Sequence, residues 1–489
     1  MLLSNCPRLL VIQPLFVLFA AWLPSTVSQT LSDDQVALVK QRLAEGATHS
    51  WELGTRAQAL LELDAPSFSV LTSGAPVPPP TSLNSSATAS LSDVFSIAQK
   101  VVSGLSNISS SSGVGQPLVN GDGSAGDPAS IGVAVLLANW TGVGGDDYAG
   151  AAQDQIEYLF GSSVPKTPDG AISHRVSQVQ LWSDSVYMVP PFLAYYGVTT
   201  NNRSMVQEAY TQIKLYRNYL NDPNAKGLWK HILLGQSGND EGHWSTGNGW
   251  AAAGMLRVMA TMKNSQYAGS FKSEIKDLGQ WAFDIQTAMY PFLQPNDLFK
   301  NYPDNATDPS NFDDAASTAL LASTVYRLAL LTGNHKFIPQ AERSRQALFA
   351  NNATSSPQGF SSPSSSSSLA LRPSVSRSAF ASASRSSDSS SSTSSSSTAS
   401  ATPSSTAFPT AQHFTSDGWL TPVVNPDNFG VQGSQSPESE AFVLMLHSAW
   451  RDWAAAGSQG INGASRHAAS TVGTLAMGLL IATAVVVWL

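Results

Sequence analysis

Residues 180–194 read QLWSDSVYMVPPFLA, so that Ser183 and Asp184 stand among large apolar side chains. This stretch runs into residues 185–196, where apolar residues recur at the spacing of an α-helix. The same spacing recurs along most of the chain, whereas the alternation typical of strands is scarce. The segments with helical spacing are 34–45, 51–63, 90–104, 129–139, 149–160, 185–196, 204–220, 249–263, 270–287, 313–331, 336–350 and 438–453. The sequence therefore predicts an all-α protein of about twelve helices.

About twelve helices in one unbroken domain favour either an α-solenoid or a closed α/α barrel of paired helices. A solenoid would show a repeat of constant length, and we find no such repeat in this sequence. The closed barrel of helical hairpins is therefore the predicted fold.

The N-terminal residues have the order of a secretory signal peptide. Arg8 precedes the apolar run 9–23, LLVIQPLFVLFAAWL, and small residues around Ser28 offer a cleavage site. An N-terminal membrane anchor is the alternative, but the run is short and contains Pro14. We therefore expect residues 1–28 to be removed and the protein to be secreted.

The C-terminal residues 457–489 resemble an attachment signal for a glycosylphosphatidylinositol anchor. Small residues stand around Asn462 and Gly463, a polar spacer follows, and residues 475–489 are apolar to the end. A tail-anchored membrane helix is the alternative. We expect a lipid anchor near Asn462 or Gly463 and a place at the cell surface, on the plasma membrane or the cell wall.

Composition agrees with secretion and excludes several classes of function. Six asparagines stand in Asn-x-Ser/Thr sequons: Asn84, Asn107, Asn139, Asn202, Asn305 and Asn352. Cys6, the single cysteine, lies in the signal peptide, so the mature chain is predicted to lack disulfides, thiolate catalysis and cysteine metal ligands. The net charge of −8 without a basic cluster argues against nucleic acid as a partner.

Residues 355–407 are dominated by serine and divide the predicted barrel. Such a segment buries too little apolar surface to fold, and we interpret it as an O-glycosylated insertion in a surface loop. A retained non-coding stretch in the gene would look the same. The barrel is thus expected to comprise residues 29–354 and 408–456.

Three segments combine polar and aromatic residues in the manner of a sugar-binding site. Residues 169–175 read DGAISHR ahead of the stretch quoted first, residues 227–231 read GLWKH, and residues 243–250 read HWSTGNGW. Tryptophans outside the apolar stripes add to this pattern, since indole faces stack on pyranose rings. They are Trp140, Trp182, Trp229, Trp244, Trp250 and Trp419.

In this order, the three segments resemble the signatures of glycoside hydrolase family 105, the unsaturated rhamnogalacturonyl hydrolases, and of the related unsaturated glucuronyl hydrolases. The resemblance runs from Asp127 to Ala350 and resumes at residues 436–438. It implies the six-hairpin (α/α)6 barrel, in agreement with the helix count. It also implies an extracellular, monomeric hydrolase, without cofactor or metal, that takes an unsaturated uronic acid from a pectin-derived oligosaccharide by hydrating its C4=C5 bond.

Asp184 matches the catalytic acid/base position of the family. We expect the apolar neighbours Trp182 and Tyr187–Met188 to raise the pKa of its carboxyl group. Capping of the helix that follows is the alternative role for Asp184. Asp127 resembles the second acidic residue of the family, although Asp127 before Pro128 is also a good helix start. Asp122 and Asp169 are weaker candidates for this second acid.

The resemblance also implies a set of substrate-binding residues: His174, His231, Trp182, Trp244, Asn248 and Trp250. The two histidines lack the spacing of a metal site. The loop that holds Trp244, Asn248 and Trp250 has Thr246 where the family usually has arginine, the natural partner of a uronate carboxylate. Arg175 and Lys230 are possible substitutes.

Two other functions stay open at this point. A cell-wall-remodelling glycosidase, for instance one acting on mannan, would use paired carboxylates, for which 146–147 and 313–314 are candidates. A non-enzymatic carbohydrate-binding surface protein is the other, supported by Thr246 and by the Ser-rich segment.

Overall fold

The computed structural model describes residues 30–105, 115–305, 307–351, 407–408 and 411–461. The predicted signal peptide, the Ser-rich segment before Ala407 and the chain from Asn462 onward lie outside these residues. Twelve α-helices occupy the described part: α1 (Asp33–Gly46), α2 (Ser50–Asp64), α3 (Ser85–Ser103), α4 (Gly132–Trp140), α5 (Tyr148–Phe160), α6 (Ser185–Thr199), α7 (Arg203–Leu220), α8 (Ser245–Asn264), α9 (Lys272–Met289), α10 (Ala315–Thr332), α11 (Ile338–Leu348) and α12 (Pro437–Ala455). Each segment with helical spacing forms one of them, although α3 and α8 begin earlier than predicted.

The helices form two concentric rings. The even-numbered helices are the inner ring, in which each packs against the next and α12 closes the circle against α2. A 3₁₀ turn, Asp127–Ile131, precedes α4 and takes part in this ring between α2 and α6. The odd-numbered helices pack outside. The fold is the predicted (α/α)6 barrel of six hairpins, and α12 completes it after the Ser-rich segment.

Burial of the side chains distinguishes the two rings. In α8, every residue from Ser245 to Met262 is buried, because the helix is covered on all sides. In α7, the buried residues recur every three or four positions, which is the pattern of a helix with one covered face. Gly254 permits the close contact of α8 with α6, since a Cβ atom there would lie 2.1 Å from the carbonyl oxygen of Val186.

Four short two-stranded antiparallel sheets join the helices in the described part of the chain. Their strands are β1 (Leu181–Trp182) with β4 (Ile232–Leu233), β2 (Asn221–Asp222) with β3 (Leu228–Trp229), β5 (Phe299–Lys300) with β6 (Asp313–Asp314), and β7 (Val423–Asn425) with β8 (Asn428–Gly433). β1 and β6 lead directly towards the inner helices α6 and α10. The sheets therefore fix the segments at the N-terminal ends of the inner ring, where the candidate site lies.

Candidate active site

A cavity of about 390 Å³ lies where the N-terminal ends of the inner helices meet. Its walls come from the starts of α2, α6, α8 and α12, from the 3₁₀ turn before α4 and from the β7–β8 hairpin. The lining residues are His49, Trp51, Asp122, Asp127, His174, Arg175, Trp182, Asp184, Met188, His231, Trp244, Trp250, Pro426, Asp427, Phe429 and Glu438. Aromatic rings around a few polar groups are the usual composition of a ligand pocket.

Asp184 lies at one end of a row of hydrogen-bonding groups. Nε2 of His231 is 3.4 Å from Oδ2 of Asp184, and Nδ1 of His231 is 3.0 Å from Oδ2 of Asp240. Tyr302 donates a hydrogen bond of 2.6 Å to the same oxygen of Asp240. The pairing of β1 with β4 brings His231 here, since Ser183 N–H donates to the His231 carbonyl at 2.9 Å. The imidazole is thereby oriented between two carboxyl groups.

The pKa of Asp184 lies below that of an ordinary aspartate, although burial by itself would raise it. The close contact with His231 and the positive charge of that ring, with a smaller effect of His174, together outweigh burial. The expectation that Trp182 and Tyr187–Met188 raise this pKa is therefore wrong. Burial is the largest single effect and raises the pKa as expected, but the effects that lower it, chiefly those of His231, are larger when taken together.

Asp127 has the opposite character. Its Oδ2 lies 3.7 Å from Nε2 of His174, and Nδ1 of that ring is 2.7 Å from Ser185 Oγ. Burial first, and then the charges of Asp122 and Asp184, raise the pKa of Asp127 to about 8. Burial lowers the pKa of His174 to about 3. At neutral pH, Asp127 therefore holds a proton and His174 is neutral, while Asp184 is ionised.

Helix capping accounts for neither carboxyl group. Asp184 occupies the N-cap position of α6, but its side chain makes no capping hydrogen bond. Asp127 is the first residue of the 3₁₀ turn, whose cap is Gly126, and again no side-chain cap is formed. Both carboxyl groups face the cavity instead.

The other acidic candidates differ in position. Asp122 lines the cavity and accepts a hydrogen bond from Ser50 Oγ. Asp169 lies outside it and accepts from Thr167 Oγ1 at 2.5 Å and from Tyr219 Oη at 2.9 Å. Sequence alone does not show which of these two aspartates lines the cavity, because both stand in polar turns.

The paired carboxylates considered for a wall-remodelling enzyme do not line the cavity. Asp147 caps α5 by accepting from Gly150 N–H, and Asp314 caps α10 by accepting from the N–H groups of Ala316 and Ser317. Their positions are those of helix caps.

Three of the six tryptophans singled out in the sequence line the cavity: Trp182, Trp244 and Trp250. Trp182 stacks on His174, with ring centroids 4.5 Å apart. Trp244 is held by a hydrogen bond of 2.8 Å from its Nε1 to Asn301 Oδ1. The other three lie outside the cavity lining: Trp140, Trp229 and Trp419.

Asn248 does not reach the cavity. Its side chain accepts from Trp229 N–H at 2.9 Å and donates to the carbonyl groups of Trp229 and Trp244 at 3.0 and 2.9 Å. The predicted loop at this point is the first turn of α8, which begins at Ser245. Asn248 thus ties β3 to α8 and bonds the carbonyl group of Trp244, and its role in substrate binding stays a prediction.

Arg175 lines the cavity, whereas Thr246 and Lys230 do not. Thr246 is fully buried, with its Oγ1 3.1 Å from Oδ2 of Asp314, and does not line the cavity. Lys230 pairs with Glu241 at 2.7 Å outside it. The Arg175 guanidinium lies 4.6 Å from the Trp182 ring centroid and is the one lysine or arginine lining the cavity among the described residues.

Several lining residues escaped the sequence analysis: His49, Trp51, Phe429 and Glu438. They come from the two ends of the chain and from the hairpin next to α12. Locally, Glu438 is only an acidic residue in the first turn of a helix, and Trp51 only an apolar residue of α2. These residues come together only in the folded barrel, so no local sequence pattern identifies them as part of one site.

Metal binding has no support from side-chain clustering. Within the described ranges, no group of three or more His, Cys, Asp or Glu side chains is arranged to hold a metal ion.

Comparison with solved structures shows the fold. A family 105 glycoside hydrolase from C. acetobutylicum ATCC 824 is 11% identical, with a TM-score of 0.55, over 85% of this chain and 99% of that one. A possible family 105 member from Klebsiella pneumoniae is 13% identical, with a TM-score of 0.56, over 91% and 99%. An unsaturated glucuronyl hydrolase specific for heparin is 12% identical, with a TM-score of 0.50, over 87% and 97%.

The family follows from the sequence itself. No curated protein matches this chain. The sequence model of Glycosyl Hydrolase Family 88 matches residues 122–370, which is half of the chain and includes Asp127, Asp184, His174 and His231. Barrel, cavity and sequence agree, and the chain belongs to glycosyl hydrolase family 88 and is a glycoside hydrolase.

Proposed function

We propose that this enzyme removes an unsaturated uronic acid, with a C4=C5 double bond, from pectin-derived rhamnogalacturonan oligosaccharides. The observation that carries the proposal is the pair of carboxyl groups in opposite protonation states in one aromatic cavity, protonated Asp127 and ionised Asp184. A related fold serves an unsaturated glucuronyl hydrolase specific for heparin. A neutral acid and a charged base together suit the addition of water to a double bond.

The reaction adds a proton to C4 and the hydroxyl group of water to C5. Asp127 donates the proton to C4, and Asp184 accepts the proton that the attacking water loses. The hemiketal formed at C5 opens to a keto acid and the aglycone leaves. Asp184 has then gained a proton from the water and Asp127 has lost its own to C4, so the transfer of one proton from Asp184 to Asp127 restores the enzyme. This divides between two residues the acid/base role that the sequence analysis gave to Asp184 alone.

Arg175 supplies the charge that a uronate requires. Its guanidinium is fixed against the Trp182 ring and lines the same cavity as Asp184. A planar guanidinium can bind a carboxylate through two parallel hydrogen bonds. Without such a cation, the acidic side chains around the cavity would repel an anionic sugar.

The test follows the ultraviolet absorbance of the C4=C5 bond in lyase-digested rhamnogalacturonan. We expect the absorbance to decay with the wild-type enzyme and to stay constant with Asp184→Asn or Asp127→Asn. Circular dichroism must show that both variants are folded. A constant absorbance with folded wild-type enzyme would overturn the proposal. Lyase-digested heparin and hyaluronan in parallel assays would show whether the uronide class is right and only the aglycone is wrong.

We also propose that the enzyme acts outside the cell, as a glycosylated monomer held by a lipid anchor. The support lies in the sequence: an N-terminal signal peptide, the sequons and the C-terminal anchor signal. Phosphatidylinositol-specific phospholipase C should release the enzyme from intact cells. Activity that stays with the cells after this treatment would contradict the anchor.

A further inference from the structure

Glu438 is a third buried carboxyl group at the cavity, and the reaction described above does not use it. It lies in the first turn of α12, lines the cavity beside Trp51 and Asp184, and is 4% exposed. Its Oε1 has no hydrogen-bond partner among the described residues. An unsatisfied buried oxygen is costly, and one that lines a cavity can gain its missing hydrogen bond from a bound ligand.

The carboxyl groups around Glu438 each have partners of their own. Glu52 accepts from the N–H groups of Thr48 and His49, both at 2.8 Å. Asp314 caps α10 and also accepts from Val424 N–H at 3.0 Å. Neither of these groups bonds Glu438. The Trp51 side chain is a hydrogen-bond donor to the Glu438 carboxyl group, while Oε1 has no partner among the described residues.

The charge state of Glu438 fits a hydrogen-bonding role. Burial first, and then the charges of Glu52, Asp184 and Asp314, raise its pKa well above that of an ordinary glutamate. Burial therefore favours the protonated form of this carboxyl group. A neutral carboxyl group has one O–H donor and one carbonyl acceptor, which together match a sugar hydroxyl group.

We propose that Glu438 is a substrate-binding residue whose carboxyl group exchanges hydrogen bonds with a hydroxyl group of the bound sugar. The sugar's identity rests on the proposed function, whereas the binding role rests on the cavity alone. The occupant completes the hydrogen bonding of Oε1, which the protein leaves open. In its protonated form, which burial favours, Glu438 adds no negative charge beside Asp184, where an anionic sugar must bind.

Glu440 provides a matched control on the same helix. It is also buried, with a pKa raised to about 8, mainly by burial. Its Oε1 accepts from Leu420 N–H at 2.6 Å, its Oε2 has no partner among the described residues, and the side chain does not line the cavity. Replacement of Glu440 tests what the loss of a buried carboxyl group of α12 does to the fold alone.

The experiment measures kcat and KM of Glu438→Gln, Glu438→Ala and Glu440→Ala on the unsaturated disaccharide from lyase-digested rhamnogalacturonan. We expect Glu438→Ala to raise KM by about 3- to 12-fold, the value of one or two hydrogen bonds, with kcat within about threefold. Glu438→Gln keeps a neutral donor and acceptor, so its KM should be close to that of the wild type. Glu440→Ala should lower the melting temperature without changing KM.

Two results would overturn the inference: an unchanged KM in Glu438→Ala, or a Glu438→Gln variant as impaired as Glu438→Ala. Titration calorimetry of the same variants with saturated rhamnogalacturonan disaccharide separates the two proposals. If Glu438→Ala binds the saturated disaccharide more weakly but the wild type does not turn over the unsaturated one, the binding role of Glu438 holds and the proposed function is wrong. A wild-type enzyme that binds neither disaccharide would remove both.

Discussion

The opposite charge states of Asp127 and Asp184 come from their neighbours, since both residues are almost equally buried, at 7% and 9% exposure. Burial raises the pKa of either carboxyl group. The negative charges of other acidic residues raise the pKa of Asp127 further. Asp184 instead faces His231, whose second ring nitrogen contacts Asp240. The row of groups behind His231 therefore decides which carboxyl group is the base.

The pH profile tests this division of roles. We expect kcat/KM to fall as the pH rises above about 8, because Asp127, with a pKa of about 8, then loses the proton that it must donate. The acidic limb should lie below the ordinary aspartate pKa, because the pKa of Asp184 is lowered. The measurement is kcat/KM against pH by ultraviolet absorbance.

Asp240→Asn serves as the control for this profile. It removes one of the two carboxyl groups that raise the pKa of His231, so the imidazole loses positive charge. The pKa of Asp184 should rise and the acidic limb should move to higher pH, while the alkaline limb of Asp127 stays in place. A shift of the alkaline limb instead would mean that the two roles are exchanged.

Arg175 allows a second prediction for a single residue. Arg175→Ala should raise KM about 10- to 100-fold, since a hydrogen bond to a charged group contributes about 1.5–3 kcal/mol. Lys230→Ala is the matched control: it removes a cation that pairs with Glu241 outside the cavity, and its KM should match wild type. Equal KM values for the two variants would show that another group binds the carboxylate.

At the level of elements, the start of α8 shows where sequence periodicity fails. Apolar spacing indicates a helix only from Gly249, because Ser245, Gly247 and Asn248 are poor helix formers. The structure begins α8 at Ser245, whose N–H donates to the Asn301 carbonyl at 2.9 Å and whose Oγ donates to Lys300. Contacts with the β5 strand region thus stabilise a turn that its own residues disfavour.

Asn248→Ala should lower the free energy of unfolding by about 2–4 kcal/mol, because it leaves the buried N–H and C=O groups of Trp229 without partners. Denaturation in urea measures this loss. Asn296→Ala is the control, since Asn296 bonds an exposed Asp313 and its loss should cost less than about 0.5 kcal/mol. A direct role of Asn248 in substrate binding would instead appear as a raised KM with unchanged stability.

For the whole molecule, the barrel was predictable because each of its helices carries an apolar spacing of its own. The site was predictable only in part. Asp127, Asp184 and the two histidines stand in recognisable segments in the middle of the chain, whereas Trp51 and Glu438 come from α2 and α12. Ring closure alone brings these two helices together, and no local pattern reports a contact between residues almost 400 positions apart in a sequence of 489.

Ring closure also depends on a buried ion cluster far from the cavity. Glu62 in α2 bonds Arg257 of α8 at 2.5 Å and Arg327 of α10 at 2.8 Å, and these side chains are 2–4% exposed. Arg327 also reaches Asp452 of α12 at 2.6 Å. The cluster therefore joins four of the six inner helices. At 1.5 Å per residue, Glu62 lies roughly 18 Å along α2 from Ser50 at the cavity.

Glu62→Ala should destabilise the barrel by about 3–5 kcal/mol, because it leaves two arginines buried with one carboxylate between them. Glu62→Gln should also be destabilised, since it keeps the shape but not the charge. Glu45→Ala, which removes a pair whose glutamate side chain is 46% exposed, should change stability by less than about 1 kcal/mol. Urea denaturation gives these values. KM of the folded fraction should stay at the wild-type value, because the cluster is remote from the cavity; a raised KM would mean that it also positions the site.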